Sequence, residues 1–253
     1  MTHKGSDAPS PIDGLSIVVP AYNEAERIGA SLEKIAAYCR SSLKAYEIIV
    51  VDDGSTDGTG EVASRVVGED DGFVLLTTPK NRGKGHAVRT GALAARYPYV
   101  LLSDADLSTP IEETDKLALH ASPDTVVVAS RGLPDSDLEE RQPFYRETMG
   151  KVFNLMVRML LVPGVADTQC GFKLFGKGVS NAIFPPLQTE RFAFDVELLA
   201  RAIRLGFPVV EVPVRWKNDL RSRVHPIRDS ALMMRDVLRV WFMLNRQSAA
   251  EKR

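Results

Sequence analysis

Two carboxylates one residue apart, Asp104 and Asp106, close the stretch Tyr99 to Ser108, YVLLSDADLS. Tyr99 to Leu102 read as a short buried strand, and the charges follow at its C-terminal end. On extended backbone residues i and i+2 point the same way, so both carboxylates would face one point. Like charges that close repel, so a cation sits between them or one of them takes up a proton. A hard divalent cation, Mg²⁺ or Mn²⁺, suits such oxygens and keeps positions open for substrate phosphates. Taken alone, the tripeptide reads better as a solvated turn after a strand, and the rest of the chain must decide.

Other strand ends would have to supply the rest of a site. Leu15 to Pro20 (LSIVVP), Tyr46 to Val51 (YEIIVV), Gly72 to Thr77 and Thr125 to Ser130 (TVVVAS) are apolar runs that predict strands. Helices are expected from about Glu24 to Arg40 with Asn23 as N-cap, from a cap at Asp57 to about Val67, from His86 to Arg96, and from Pro110 to about His120. Strand, polar loop and helix in regular succession predict an α/β fold with a doubly wound, mostly parallel sheet and its ligand across the carboxyl ends of the strands. On that edge Asp53 can accept hydrogen bonds from a base or ribose, and the glycines of Asn81 to Gly85 let the backbone approach a ligand. Lys84 and Arg131 can offset phosphate charge. Together with the paired aspartates this describes a nucleoside-diphosphate site. The Gly-Lys-Gly loop lacks P-loop spacing, and no G-x-G-x-x-G follows the first strand, which counts against NAD.

The second half reads differently. Leu133 to Arg146 is charged and expected to be a mobile loop, followed by an apolar helix from about Tyr145 to Leu161 that Pro163-Gly164 ends. Asp167 to Phe175 suits a strand or turn, Phe194 to Leu205 a helix, and Val209 to Trp216 a strand. A basic segment, Lys217 to Arg228, precedes a last amphipathic helix from about Asp229 to Arg246. The 253 residues, 44% of them hydrophobic, suffice for a sizeable core, and a net charge of −1 provides no bulk field to recruit nucleic acid. Cys39 and Cys170 are the only cysteines, which supports neither a disulfide framework nor a cysteine zinc site and suits a cytoplasmic setting. The first residues are polar with no apolar core of a signal peptide, and no apolar run is long enough to span a membrane.

SIVVPAYNEAERI, EIIVVDDGSTDGT, NRGKGHAVRTG and LLSDADLS together resemble the family 2 glycosyltransferases, inverting nucleotide-sugar enzymes of the GT-A fold. DTQCGFKLF, RFAFDVELL and VRWKNDLRSRV are similar to the polyprenyl-phosphate hexosyltransferase branch, above all the dolichyl-phosphate β-glucosyltransferases and their bacterial relatives. The resemblance, from about Leu15 to Leu244, implies one GT-A domain: residues 1–14 a flexible leader, 15–132 a nucleotide-sugar-binding half, 133–246 an acceptor-binding half, and 247–253 a tail. It implies that Pro20, Tyr22 and Glu24 line a nucleoside pocket, and that Val51 and Asp53 contact base or ribose. Asp104, Ala105 and Asp106 would form the D-x-D element that holds the cation on the diphosphate. Arg131 matches an arginine near the metal and the reacting phosphates, and Lys217 and Arg223 match two basic residues of a late loop on the donor. A mannosyl-transferring relative has glutamine where this chain has Ser108, which weakens the case for a third side-chain ligand and for GDP-mannose as donor.

The implied reaction moves glucose from UDP-glucose to a polyprenyl (dolichyl or undecaprenyl) phosphate. Such an acceptor is already an anion near neutral pH, its second pKa being about 6, and needs no general base. Arg131, Arg146 and Arg223 are the candidates for its phosphate. A hydroxyl acceptor would instead need a base, and Asp195 is the candidate, its other reading being the cap of the helix that follows. The 145–161 and C-terminal helices carry apolar stripes with arginines, suited to the core or to peripheral contact at the inner membrane face.

Overall fold

The computed structural model describes residues 12–67, 71–138, 144–217 and 226–251. Four strand-then-helix units come first: β1 (Leu15–Ala21) with α1 (Ile28–Ser42), β2 (Tyr46–Asp52) with α2 (Thr59–Val67), β3 (Phe73–Thr77) with α3 (Lys84–Ala94), and β4 (Tyr99–Leu102) with a 3₁₀ turn at Ile111–Glu113 and α4 (Thr114–Ala118). Then follow β5 (Val126–Ser130), β6 (Asp137–Leu138), α5 (Phe144–Leu160), β7 (Lys173–Gly176), α6 (Lys177–Ile183), α7 (Phe194–Arg204), β8 (Val209–Pro213), β9 (Arg215–Trp216) and α8 (Pro226–Glu251).

Strand β1 is buried along its whole length, as a strand covered on both faces must be. Its alternate residues feed two cores. Leu15, Ile17 and Val19 pack with Ile28, Leu32 and Ile35 of α1, while Val18 joins Val51 of β2 and Ala87 and Val88 of α3 on the other face. The main sheet has the order β3-β2-β1-β4-β7-β5-β8. Chain order reverses at β1, with β2 on one side and β4 on the other, and that switch point opens a crevice at the carboxyl ends.

Most pairings are parallel as predicted, but β7 runs antiparallel between β4 and β5. The stretch Asp167 to Phe175 is thus a turn leading into a strand. Its four residues, Lys173 to Gly176, are all buried, and so short a run carries no sense of orientation. Val209 to Trp216 is two strands rather than one, with β9 leaving the main sheet to pair with β6. Asn23 is not the N-cap of α1: it sits at φ 55°, and its side-chain oxygen accepts the Thr56 N–H at 2.9 Å. It ties the loop after β1 to the loop after β2, and α1 starts only at Ile28. Asp57 does cap, accepting the Thr59 N–H at 3.0 Å. Helix α6 has no counterpart in the sequence reading, and Ile12, placed there in the leader, is buried. Leu133 to Arg146, expected as a loop, contains β6 and the start of α5, with 139–143 outside the described residues. Both cysteines are buried, and neither forms a disulfide.

Candidate active site

A cavity of about 690 Å³ opens at the switch point, walled by the loops after β1, β2, β4 and β5 and by pieces of the second half. Its floor carries the two aspartates. The backbone does not stay extended there: β4 ends at Leu102, the chain turns at Ala105 and Asp106, and Leu107 takes φ 48°. The Leu107 N–H reaches the Asp104 carbonyl at 3.1 Å and the Ser108 N–H reaches the Asp106 carboxylate at 2.9 Å, closing the turn. Both carboxylates still line the cavity, by way of a turn that an alternation argument could not supply.

Each carboxylate has a cation. Lys84 Nζ lies 2.6 Å from Asp104 Oδ1, and Arg27 Nη1 lies 3.7 Å from Asp106 Oδ2. Burial tends to raise the Asp104 carboxyl, but the charge and hydrogen bond of Lys84 together with the charges of Lys173 and Arg131 outweigh it and hold Asp104 below the usual carboxylate range. Burial, and after it the charge of Asp104, push Asp106 the other way. The donor set suits a hard divalent cation: two carboxylates on one wall and, among the described residues, no larger group of acidic, histidine or cysteine ligands. Substrate oxygens would complete its coordination. A structural device keeps Asp104 in place: a Cβ on Gly171 would stand 2.1 Å from Asp104 Oδ2, so only glycine leaves the carboxylate its room.

Asp53, at the end of β2, spends its oxygens on the neighbouring loop. It accepts the N–H groups of Arg82 at 3.0 Å and Gly83 at 2.6 Å and the Thr78 hydroxyl at 3.0 Å. Gly83 at φ +116° lets the chain turn there into α3, which carries Lys84 in its first turn.

Arg131 is held side-on by Asp167, with Nε to Oδ2 at 2.7 Å and Nη2 to Oδ1 at 2.9 Å. Its guanidinium carbon lies 5.3 Å from the centre of the Trp216 ring, which the β6–β9 pairing brings to the cavity wall. Burial would raise Asp167, but the charge and hydrogen bonds of Arg131 dominate and bring it to about 2. Asp195 lies in the first turn of α7 behind this wall and does not cap the helix, whose N-cap position is Ala193. Its carboxylate takes the Nζ of the fully buried Lys173 at 2.5 Å. The same Nζ donates to the Cys170 carbonyl at 2.5 Å. Burial raises the Asp195 carboxyl, and the charges of Lys173 and Lys84 only partly offset it.

Of the residues singled out in the sequence, Pro20, Tyr22, Glu24, Asp53, Lys84, Asp104, Ala105, Asp106 and Arg131 line this one cavity. Val51 is buried in β2 beneath α3 and is not part of the wall. Lys217 follows Trp216, its N–H on the Ser108 carbonyl at 2.8 Å. Arg146 belongs to α5 with its side chain outside the description, and Arg223 lies outside the described residues. Arg27, Asp167, Gly171, Lys173, Arg191 and Trp216 were not assigned from the sequence. All but Arg27 fall inside the three tail motifs that carried the resemblance, and Arg27 closes the next-to-last position of the first motif.

The sequence model of glycosyl transferase family 2 matches residues 16–184. The chain belongs to that family. It is 37% identical over 248 residues to a dolichyl-phosphate beta-glucosyltransferase of Dictyostelium discoideum, covering 92% of this chain and 76% of that protein. A human protein of the same name is 35% identical over 243 residues, covering 90% and 75%. Among solved structures, mannosyl-3-phosphoglycerate synthase from Rubrobacter xylanophilus matches with a TM-score of 0.70 at 21% identity, over 94% of this chain and 75% of that one. Glucosyl-3-phosphoglycerate synthase from Mycobacterium tuberculosis, solved with uridine diphosphate, matches with a TM-score of 0.66 at 20% identity, over 91% and 79%. This family 2 protein is therefore a glycosyltransferase, and its mixed seven-stranded sheet is the GT-A fold.

Proposed function

We propose that this glycosyltransferase moves glucose from UDP-glucose to a polyprenyl phosphate with inversion at the anomeric carbon. The curated relatives, named as dolichyl-phosphate beta-glucosyltransferases, support the sugar and the acceptor. The observation that carries the reading from the structure is the state of Asp195. The carboxylate available as a base is locked to Lys173 behind the wall, while arginines and a lysine line the cavity itself. That arrangement serves an acceptor that arrives already ionised.

In the proposed reaction an acceptor phosphate oxygen forms the new bond to the anomeric carbon, the bond from that carbon to the UDP oxygen breaks, and UDP leaves with the electron pair. No proton need be removed. Pro20, Tyr22, Glu24 and Asp53 frame the nucleoside, Asp53 by holding the 80–83 loop in shape. Asp104 and Asp106 hold Mg²⁺ or Mn²⁺, which when bound offsets charge on the leaving diphosphate; Mn²⁺ accompanies nucleotide in structures of fold relatives. Lys84 is kept charged beside the same diphosphate: burial disfavours its ammonium, and Asp104 and Asp195 more than compensate. Arg131, oriented by Asp167 and Trp216, meets the acceptor phosphate, with Lys217, Arg146 and Arg223 as further basic groups of the donor and acceptor sides.

No helix among the described residues is long and apolar enough to cross a membrane. Leu155, Met159 and Leu160 on α5 and Leu238 and Phe242 on α8 are exposed, and these two helices pack together, which supports peripheral contact with the membrane that holds the acceptor. The test is a panel of nucleotide sugars offered to the purified chain with a short polyprenyl phosphate and Mg²⁺ or Mn²⁺. UDP-glucose should give the lipid-linked β-glucoside, and turnover only with a hydroxyl acceptor, lost in Asp195→Asn, would overturn the reading.

A further inference from the structure

Among the described residues five cations line the cavity: Arg27, Arg82, Lys84, Arg131 and Arg191. Four of them are paired, with Glu24, Glu190, Asp104 and Asp167 respectively. Arg191 is the one lining cation that has no carboxylate partner among the described residues, and it is exposed. Its backbone, by contrast, is pinned from several sides. The Glu190 carbonyl accepts the His86 N–H at 3.1 Å, and the Arg191 carbonyl accepts the Phe194 N–H at 3.2 Å. Just ahead, Gln188 and Thr189 donate their N–H groups to the buried Glu197 at 3.1 and 2.8 Å. Gly85 packs so closely beneath that a Cβ there would stand 2.2 Å from the Thr189 carbonyl oxygen. The segment is a fixed bridge between α3 and α7, and the next residue, Phe192, leaves 43% of its surface exposed on the same cavity wall.

Binding a new anion through a paired arginine means breaking or sharing an existing ion pair, whereas an unpaired guanidinium engages it at no such cost. A charged group with an exposed aromatic ring beside it, both on rigid backbone, matches an amphiphilic anion: a phosphate attached to hydrocarbon. We propose that Arg191 hydrogen-bonds the acceptor phosphate and Phe192 packs against the first carbons of its lipid. The inference rests on the polyprenyl phosphate acceptor proposed above and assigns two residues to it. It leaves the donor diphosphate to Lys84 and the cation on Asp104 and Asp106.

The experiment uses the full chain with Mn²⁺. UDP affinity is measured by calorimetry, KM by transfer to a short polyprenyl phosphate, and inorganic phosphate serves as a competitor of the acceptor. Arg191→Met should raise the acceptor KM by about ten- to a hundredfold, the span of one charge-assisted hydrogen bond. It should weaken inhibition by inorganic phosphate and leave UDP affinity unchanged, and Arg191→Lys should recover part of the loss. Phe192→Ala should raise the KM of the lipid acceptor while leaving inhibition by inorganic phosphate as it was. A loss of UDP affinity in Arg191→Met would place the arginine on the donor and overturn the proposal, as would an unchanged acceptor KM. Wild-type chain that binds UDP and transfers to no polyprenyl phosphate would overturn the acceptor reading itself, a result visible before any variant is compared.

Discussion

Gly171→Ala tests the reasoning about the aspartate pair with a single methyl group. Its Cβ would lie 2.1 Å from Asp104 Oδ2, 2.5 Å from Cγ and 2.5 Å from Oδ1, where ordinary contact begins at 3.4 Å. The carboxylate must therefore retreat by more than about 1 Å, away from the position in which Lys84 pairs with it at 2.6 Å. Misplacement by about 1 Å costs catalysis roughly 10²-fold. The fold should tolerate the change, because the obstacle is the end of a rotatable side chain and Gly171 carries no left-handed backbone requirement; overpacking of this kind costs about 1–3 kcal/mol. The assay is transfer at saturating UDP-glucose across a Mn²⁺ series, with a thermal melt alongside. A roughly hundredfold fall in rate is expected, with a higher half-saturating Mn²⁺ concentration and a retained cooperative melt. In an Asp104→Ala background the methyl group meets no carboxylate, so the stability cost of Gly171→Ala should largely vanish. A Gly171→Ala protein with wild-type rate and wild-type Mn²⁺ dependence would refute the geometry.

Further outcomes follow from the same contacts. Asp106→Ala should abolish transfer, and excess EDTA should do the same to the wild type, with Mn²⁺ restoring only the latter; full activity in EDTA would remove the cation from the reaction. Asp195→Asn should keep its rate within a few-fold when the acceptor is a polyprenyl phosphate, which a kinetic comparison at saturating substrates decides. Lys173→Met strands the buried Asp195 carboxylate and should cost about 3–5 kcal/mol of stability in denaturant titration, most of it recovered in Lys173→Met/Asp195→Leu. The Asp167 carboxyl, at about 2 when folded against an ordinary 3.8, favours the folded state while it is ionised. That contribution, about 2 kcal/mol, is complete above pH 4 and is lost as pH falls toward 2. The stability gap between wild type and Asp167→Asn should therefore narrow across that window in acid titration, and a gap constant from pH 7 to pH 2 would show that the Arg131 pair contributes nothing.

The parts of this site that were legible in the sequence are those whose neighbours in space are neighbours in the chain. Apolar runs ending in Asp53, Asp104 and Arg131 announce strands whose polar ends share an edge, because parallel strands joined by helices must end on the same side. What a local pattern cannot carry is direction and pairing. Strand β7 is too short for its pattern to show which way it runs, yet its antiparallel course brings Gly171 onto Asp104 and Lys173 onto Asp195, 22 residues away. Arg131 likewise finds Asp167 at a separation of 36, and the sequence alone leaves its charge looking free. The same limit explains Arg191. In RFAFDVELL it is one arginine among many, and its distinction is relational, since the other cations of the cavity are neutralised by partners from four different loops. A cation that the fold leaves without a counterion, in a place that a substrate can reach, engages an anion without giving up a partner, which is the basis of the role proposed for Arg191. Charge state along the chain is fixed by residue type, but charge availability is decided by tertiary pairing, so Arg131 could be named for the acceptor phosphate from its motif, whereas Arg191 is singled out only by the pairing of the cations around it.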